Sequence, residues 1–425
     1  MATRLPSAIG AWACLLMLAG CATSATSAAP SPAPTPTPAF SLTFPSEANL
    51  VPSDSLAEWF VIGLAEAADS VEAPHVLIVL RDAAGADVAR RTIAIPSDPL
   101  PAGSGWPFRE PFRPAGVPAT AVATLLGNPT AAVSSPSVRG SVLRTFLDAQ
   151  GSTVVLGRLD NLGQNDARVE AVRLLGRDSA GKAAEVVDAQ PAADSLGPDD
   201  AVPFLARLPR GSERLAWEVY PIARPGDVLP PAVEIREVQS HQDDQGNPFV
   251  TAVVRNTSPE PLWLTLTALV LEQDEWLAGI SVPLPLPLSP GERLSFALRI
   301  PGTSLGLPDA DEVRWQLIPR TTPAEESPIP IPSEVIEYRP VGSTLFLRVR
   351  LTGVDGETIR NPAAYASITG DEGRLEAAGW SGGPPVIGPG ESAEVTLAIP
   401  LPRGFDLTLG QLDVRGGGLP GNKAP

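Results

Sequence analysis

The chain has 425 residues and a formal net charge of −17, with 49 prolines, two cysteines and two histidines. An acidic balance of this size excludes a nucleic-acid partner and electrostatic attraction to anionic lipid, both of which need clustered positive charge. Prolines along the whole length disfavour long helices and suit many short strands joined by turns, and the chain is too long for one core.

The first residues read as a targeting segment. Arg4 supplies one positive charge, and Ala8 to Met17 is apolar except for Gly10. That run is short for a membrane span and suits a signal h-region. It ends in Leu18-Ala19-Gly20-Cys21, where small residues suit a narrow peptidase groove and the thiol can take a diacylglycerol chain. The pattern resembles the lipobox of bacterial lipoproteins. The resemblance implies a signal peptide over 1–20, cleavage before Cys21, and acyl lipid such as palmitate and diacylglycerol on Cys21. It also implies a membrane-anchored protein facing outside the cytoplasm. Cys14 would leave with the peptide, so Cys21 would be the one thiol of the mature chain, with no intramolecular disulfide and no cysteine metal site. Residues 22–39 read ATSATSAAPSPAPTPTPA. Such a Pro/Ser/Thr/Ala run cannot bury a core and is expected, with Cys21, to be a disordered spacer over 21–39.

Beyond the spacer the chain repeats itself. Leu196-Gly-Pro198-Asp-Asp200 leads to Phe204, Leu288-Ser-Pro290-Gly-Glu292 to Phe296, and Ile387-Gly-Pro389-Gly-Glu391 to Val395; a fainter Leu100-Pro101-Ala-Gly103 leads to Phe108. The steps between Pro101, Pro198, Pro290 and Pro389 match the length of an immunoglobulin-like sandwich domain. Alternating strands recur ahead of each turn: Val142 to Phe146, Val233 to Val238, Val335 to Tyr338, then Val154 to Leu159 and Phe249 to Val254. Arg81-Asp82 to Gly85 and Arg177-Asp178 to Gly181 have hairpin chemistry. Trp217 and Trp315 alternate onto a buried strand face. The expected fold is all-β, with tandem immunoglobulin-like β-sandwiches over 40–133, 134–226, 227–325 and 326–415. A disordered tail is expected over 416–425.

The middle copies resemble the FxLYD-type immunoglobulin-like domains of exported bacterial proteins. The second matches through Gly157-Arg-Leu-Asp-Asn161, Arg177-Asp178 to Gly181, Gly197 to Asp200 and Phe204. The third matches through Val253-Val-Arg-Asn256, Pro290-Gly-Glu292 and Phe296, but has Asp274-Glu-Trp276 where the hairpin glycine is expected. The fourth keeps mainly Gly388 to Glu391 and the first mainly Asp82 to Gly85. The resemblance implies a fold and an extracytoplasmic setting, and carries no catalytic residues.

The residues themselves offer little chemistry. His75 precedes a strand and His241 sits in a polar loop; two histidines do not make a three-ligand zinc site. Gly379-Trp-Ser381-Gly-Gly383 satisfies G-x-S-x-G, but it reads as a glycine-rich loop, because a nucleophile elbow needs a following helix and a later histidine. Acid pairs at Asp199-Asp200, Asp243-Asp244 and Asp309 with Asp311 and Glu312 lack calcium-loop spacing, and no metal or soluble cofactor is expected. Trp106, Trp276 and Trp380 stand among turn residues, which makes them candidates for an exposed interaction surface, with core or lid packing the alternative role for each. The expectation is a non-enzymatic scaffold, attached to a membrane through its lipid and touching an envelope protein or glycan. The alternative is a ligand or enzymatic site at a domain junction.

Overall fold

The computed structural model describes residues 42–53, 58–131, 136–148, 151–228, 231–300 and 314–421. They form four consecutive groups of antiparallel strands. The first holds β1 (Leu42–Pro52), β2 (Trp59–Glu66), β3 (Val71–Arg81), β4 (Asp87–Ala94), β5 (Gly105–Phe112) and β6 (Thr120–Pro129). The second holds β7 (Val138–Leu147), β8 (Thr153–Asn161), β9 (Ala167–Arg177), β10 (Ala183–Pro191), β11 (Ser195–Leu196), β12 (Ala201–Arg207) and β13 (Ala216–Pro225). The third holds β14 (Val233–Gln242), β15 (Pro248–Asn256), β16 (Leu262–Glu272), β17 (Glu275–Pro283), β18 (Arg293–Arg299) and β19 (Arg314–Pro323). The fourth holds β20 (Ile329–Ile331), β21 (Ser333–Val341), β22 (Thr344–Thr352), β23 (Ile359–Thr369), β24 (Leu375–Gly382), β25 (Val386–Ile387), β26 (Ser392–Pro400) and β27 (Gln411–Pro420).

One wiring diagram underlies all four. A platform sheet pairs β1-β2-β5, β7-β8-β12, β14-β15-β18 and β21-β22-β26. A facing sheet pairs β4-β3-β6, β10-β9-β13, β17-β16-β19 and β24-β23-β27. In the first copy β1 belongs to both, since Leu42–Ser46 pair with β6 and Glu47–Pro52 with β2. Each sandwich closes on inward side chains at alternate positions, such as Val76, Ile78 and Leu80 in the first and Leu347, Val349 and Leu351 in the fourth, all 0 % exposed. The chain is all-β, a tandem array of sandwiches.

The recurring turn before β5, β12, β18 and β26 has a shared geometry. Gly103, Asp199, Gly291 and Gly390 take positive φ at equivalent positions, and each is followed five residues later by Phe108, Phe204, Phe296 or Val395. The backbones of Ala67, Asn161, Asn256 and Gly353 donate across to Ser104, Asp200, Glu292 and Glu391. The acid after the turn folds back: Asp200, Glu292 and Glu391 accept from the amides of Gly197 (2.9 Å), Ser289 (2.7 Å) and Gly388 (3.0 Å). In the first copy it is therefore Ala102, one residue after the expected Pro101, that stands where Pro198, Pro290 and Pro389 stand. Pro101 takes the place of Gly197, because Ser104 donates to Pro101 as Asp200 does to Gly197.

The third copy lacks the hairpin glycine because its β16–β17 connection is shorter. Glu272 pairs with Glu275, and the two residues between, Gln273 and Asp274, have φ of 49° and 70°, as a type I′ turn requires. Residues 416–420, expected in the tail, instead complete β27. Gly416 to Gly418 pair with β20, and the strand tolerates no side chain there. A Cβ on Gly418 would come 2.2 Å from Ile359 Cγ2, and one on Gly416 2.8 Å from the Ile331 oxygen. The glycine run serves close packing here, in place of the expected disorder.

Candidate interaction surfaces

The outer face of a sandwich sheet normally meets water, yet in this chain the platform sheets of the first three sandwiches each have a second, covered face. The cover is the facing sheet of the next sandwich. At the first junction Phe60, Ile62 and Leu64 of β2 meet Leu175, Ala183, Val186 and Tyr220. A polar network frames them. Arg177 reaches Glu47 of the first sandwich at 2.9 Å and Glu218 of its own at 2.8 Å. Burial alone would lower the Arg177 pKa, but its hydrogen bonds to Glu218 and Glu47 outweigh this and raise it. Tyr220 donates to Glu218 at 2.8 Å, and burial, followed by that carboxylate, pushes its pKa up to about 12. Asn49 donates to the Ala183 oxygen at 2.8 Å while Glu47 accepts from the Ala183 amide at 3.2 Å.

The second junction packs Phe146, Val154, Leu156 and Leu205 against Leu269, Leu271, Trp276 and Ile318. Arg320 pairs with Asp194 across it at 2.6 Å. At the third, β24 crosses the outer face of β15 and β18. Thr251, 0 % exposed, donates to the Leu375 oxygen at 3.1 Å. Its hydroxyl oxygen lies 2.9 Å from His241 Nε2. Since the Thr251 proton is committed to Leu375, His241 donates through Nε2. The imidazole stacks on Phe249 with centroids 4.9 Å apart, and burial lowers its pKa to about 4.

The three nominated tryptophans all fall at these junctions. Trp106 lies in β5, not in a turn, is 4 % exposed, and is covered by the guanidinium of Arg173 at 4.0 Å; that arginine also donates to the Pro107 oxygen at 2.8 Å. Trp276 is half-buried in β17, donates to Gln316 at 2.8 Å and faces Arg158 of the second sandwich at 5.9 Å. Trp380 is half-buried in β24, paired with Tyr365, and both pack against the third core. Of the two roles the sequence offers for these tryptophans, exposed contact and packing, their burial agrees with packing. The glycine beside Trp106 marks close approach: a Cβ on Gly105 would sit 2.8 Å from the Tyr220 ring. The arginines over the indoles are what sequence inspection missed, since nothing local pairs Arg173 with Trp106.

The serine of the G-x-S-x-G string lies in β24, where Ser381 pairs with Ala364. The segment is strand rather than loop, and the two-residue strand Val386–Ile387, not a helix, follows it directly. His75 Nδ1 contacts the Ala73 oxygen at 2.7 Å. Asp243, 0 % exposed, spends its carboxylate on the amides of Gln245 and Asn247, the Asn247 side chain and Arg299 at 3.0 Å. No group of three or more metal-ligating side chains occurs among the described residues, nor a helix long and apolar enough to cross a membrane. Cys21, the 21–39 segment and the acids at 309, 311 and 312 lie outside the described residues.

A groove of about 680 Å³ runs along the third junction between Leu286–Leu294 and Pro328–Ile331, floored by Tyr365 and Gly417. Burial raises the Tyr365 pKa, and Glu292 adds to the shift. No known protein family and no curated protein matches this chain. Among solved structures, the native conformation of E. coli alpha-2-macroglobulin, seen by cryo-EM, aligns at 11 % identity over 89 % of this chain with a TM-score of 0.13. The aligned chain spans only 29 % of that protein's length.

Proposed function

We propose that this chain is a bacterial lipoprotein held outside the cytoplasm by lipid on Cys21, and that its sandwiches act as a non-enzymatic scaffold. The observation that carries the proposal is the Leu18-Ala19-Gly20-Cys21 string directly after an apolar run and before a Pro-rich spacer. The motifs of the second and third copies support an FxLYD-type assignment, because Gly157, Asn161, Asn256 and the Gly-Glu turn each have a structural reason to be there. The junctions support the scaffold reading, since each buries aliphatic side chains and adds a charged or hydrogen-bonded link. A body built this way holds its outer surfaces in fixed relation to one another, which suits display to an envelope protein or glycan.

Cell fractionation tests the anchor. The native chain is expected in the membrane fraction with an acylated N-terminal cysteine by mass spectrometry, and Cys21→Ser is expected to lose the lipid. A native chain without lipid would end the proposal. A ligand-binding reading has one specific observation in its favour, the groove at the third junction, whose size falls in the range of small-molecule sites. A thermal-shift screen in which a compound stabilises the chain, but not its Arg293→Ala variant, would support that second reading.

A further inference from the structure

In the second, third and fourth sandwiches, the facing sheet is covered by the preceding platform. The first sandwich has no predecessor among the described residues, so its β4-β3-β6 sheet keeps an outer face of the same kind. Inward residues Val76, Ile78 and Leu80 belong to the first core; by alternation Leu77 and Val79 lie on the other face, where Leu77 is half-buried and Val79 is 7 % exposed. They pair with Thr124 and Val122 of β6, and His75 pairs with Leu126. Val122 is 41 % exposed. The opposite end of the array is different. The outer face of β21-β22-β26 is a charge lattice, with Arg348 against Glu337 and Glu394, and Arg350 against Glu334 and Glu394. Repeat arrays need such polar ends to stop growing. Among the described residues, only the end at the fourth sandwich carries such a lattice.

We propose that two copies of this chain pack back to back through the outer faces of their β4-β3-β6 sheets, related by a two-fold axis. The charges on the face select this occupant. At one end of β3, Arg81 and Arg90 share the single carboxylate of Asp87 at 3.2 and 3.3 Å. At the other end Glu72 is exposed beside Asn128. A two-fold arrangement with β3 strands antiparallel sets the arginine end of each copy against Glu72 of its mate, with the aliphatic residues between them, so the patch is self-complementary. Arg81 also begins the Arg-Asp-x-x-Gly hairpin just as Arg177 does, and Arg177 spans the first junction to Glu47. Head-to-tail growth is disfavoured, because the lattice at the far end has its carboxylates already engaged.

The inference needs no lipid, so it stands or falls separately from the anchor. Sedimentation of the chain purified in mild detergent, over micromolar concentrations, is expected to show a monomer–dimer equilibrium. Val122→Arg and Leu77→Glu are each expected to leave monomer with an unchanged melting curve. Glu72→Arg and Arg90→Glu are each expected to weaken the dimer about tenfold, and the double variant to recover most of that loss. Monomer at every concentration would overturn the proposal. So would a dimer indifferent to Val122→Arg, or one dissolved by Arg348→Glu at the capped end.

Discussion

Gly157 lies beneath the ring of Phe204, so close that a Cβ there would meet the ring at 2.0 Å. The two are cross-strand partners, and the same pair recurs as Gly63–Phe108, Ala252–Phe296 and Val349–Val395. The repeats therefore exchange volume across one core position. Where the last strand of the platform sheet (β5, β12 or β18) carries phenylalanine, its middle strand carries glycine or alanine, and where it carries valine (β26) the middle strand does too. Gly157→Ala is expected to destabilise the second sandwich by about 1–3 kcal/mol through overpacking. Gly157→Val with Phe204→Val, copying the fourth sandwich, is expected to recover most of it. Urea denaturation of the full chain, followed at Trp217, reads both.

Asn161 and Asn256 are 0 % exposed and tie the end of the second strand to two loops. Asn256 donates to the oxygens of Glu260 at 2.8 Å and Leu288 at 2.9 Å, and accepts from the Ser258 amide at 2.9 Å. Asn256→Ala removes three side-chain hydrogen bonds at a buried position, although the Leu288 oxygen keeps the Leu262 amide and the Glu260 oxygen keeps the Ser258 hydroxyl, and is expected to cost about 1–2 kcal/mol. Amide exchange should quicken first at Ser289 to Glu292, the turn this residue holds.

Arg177 has one carboxylate on each side of the first junction. Arg177→Met removes the shared cation and leaves Glu47 and Glu218 facing one another. The expected loss is about 2–3 kcal/mol, below that of a fully buried pair because both carboxylates keep contact with water. Limited proteolysis should then cut between the first and second sandwiches faster than in the native chain. Equal cutting rates would show that the apolar contacts alone hold the junction.

His241 gives the third junction a defined response to acid. Its folded-state pKa is about 4, below its ordinary 6.5, with burial as the cause. The unfolded chain therefore binds the proton more readily. Stability from this group is complete above pH 6.5 and falls as pH drops from 6.5 toward 4. His241→Phe keeps a ring against Phe249 and removes the titration. Its melting temperature is expected to vary less than the native chain's across that window, on top of a pH-independent loss from the missing hydrogen bond to Thr251.

Much of the fold was legible because its signals are local. The Asp82 to Gly85 and Asp178 to Gly181 hairpins close on carboxylate-to-amide bonds within four residues, and Pro290-Gly-Glu292 caps its own turn. The candidate surface was not legible in the same way. Trp106, Trp276 and Trp380 were singled out by neighbouring glycines and prolines, but those residues mark tight approach as readily as they mark loops. Gly416 to Gly418 misled in the same direction.

The sequence by itself determined the all-β class, the repeated succession of strands and the turn chemistry, because period-two alternation and short-range hydrogen bonds are written within a few residues of each other. Only the tertiary structure decided what covers each strand's second face. Alternation separates Leu77 from Ile78, or Ile62 from Val61, yet says nothing of whether water or another sheet lies beyond. That choice rests on contacts across many residues, such as Arg173 over Trp106 and Arg177 against Glu47, where shape and charge meet only after both sandwiches have folded.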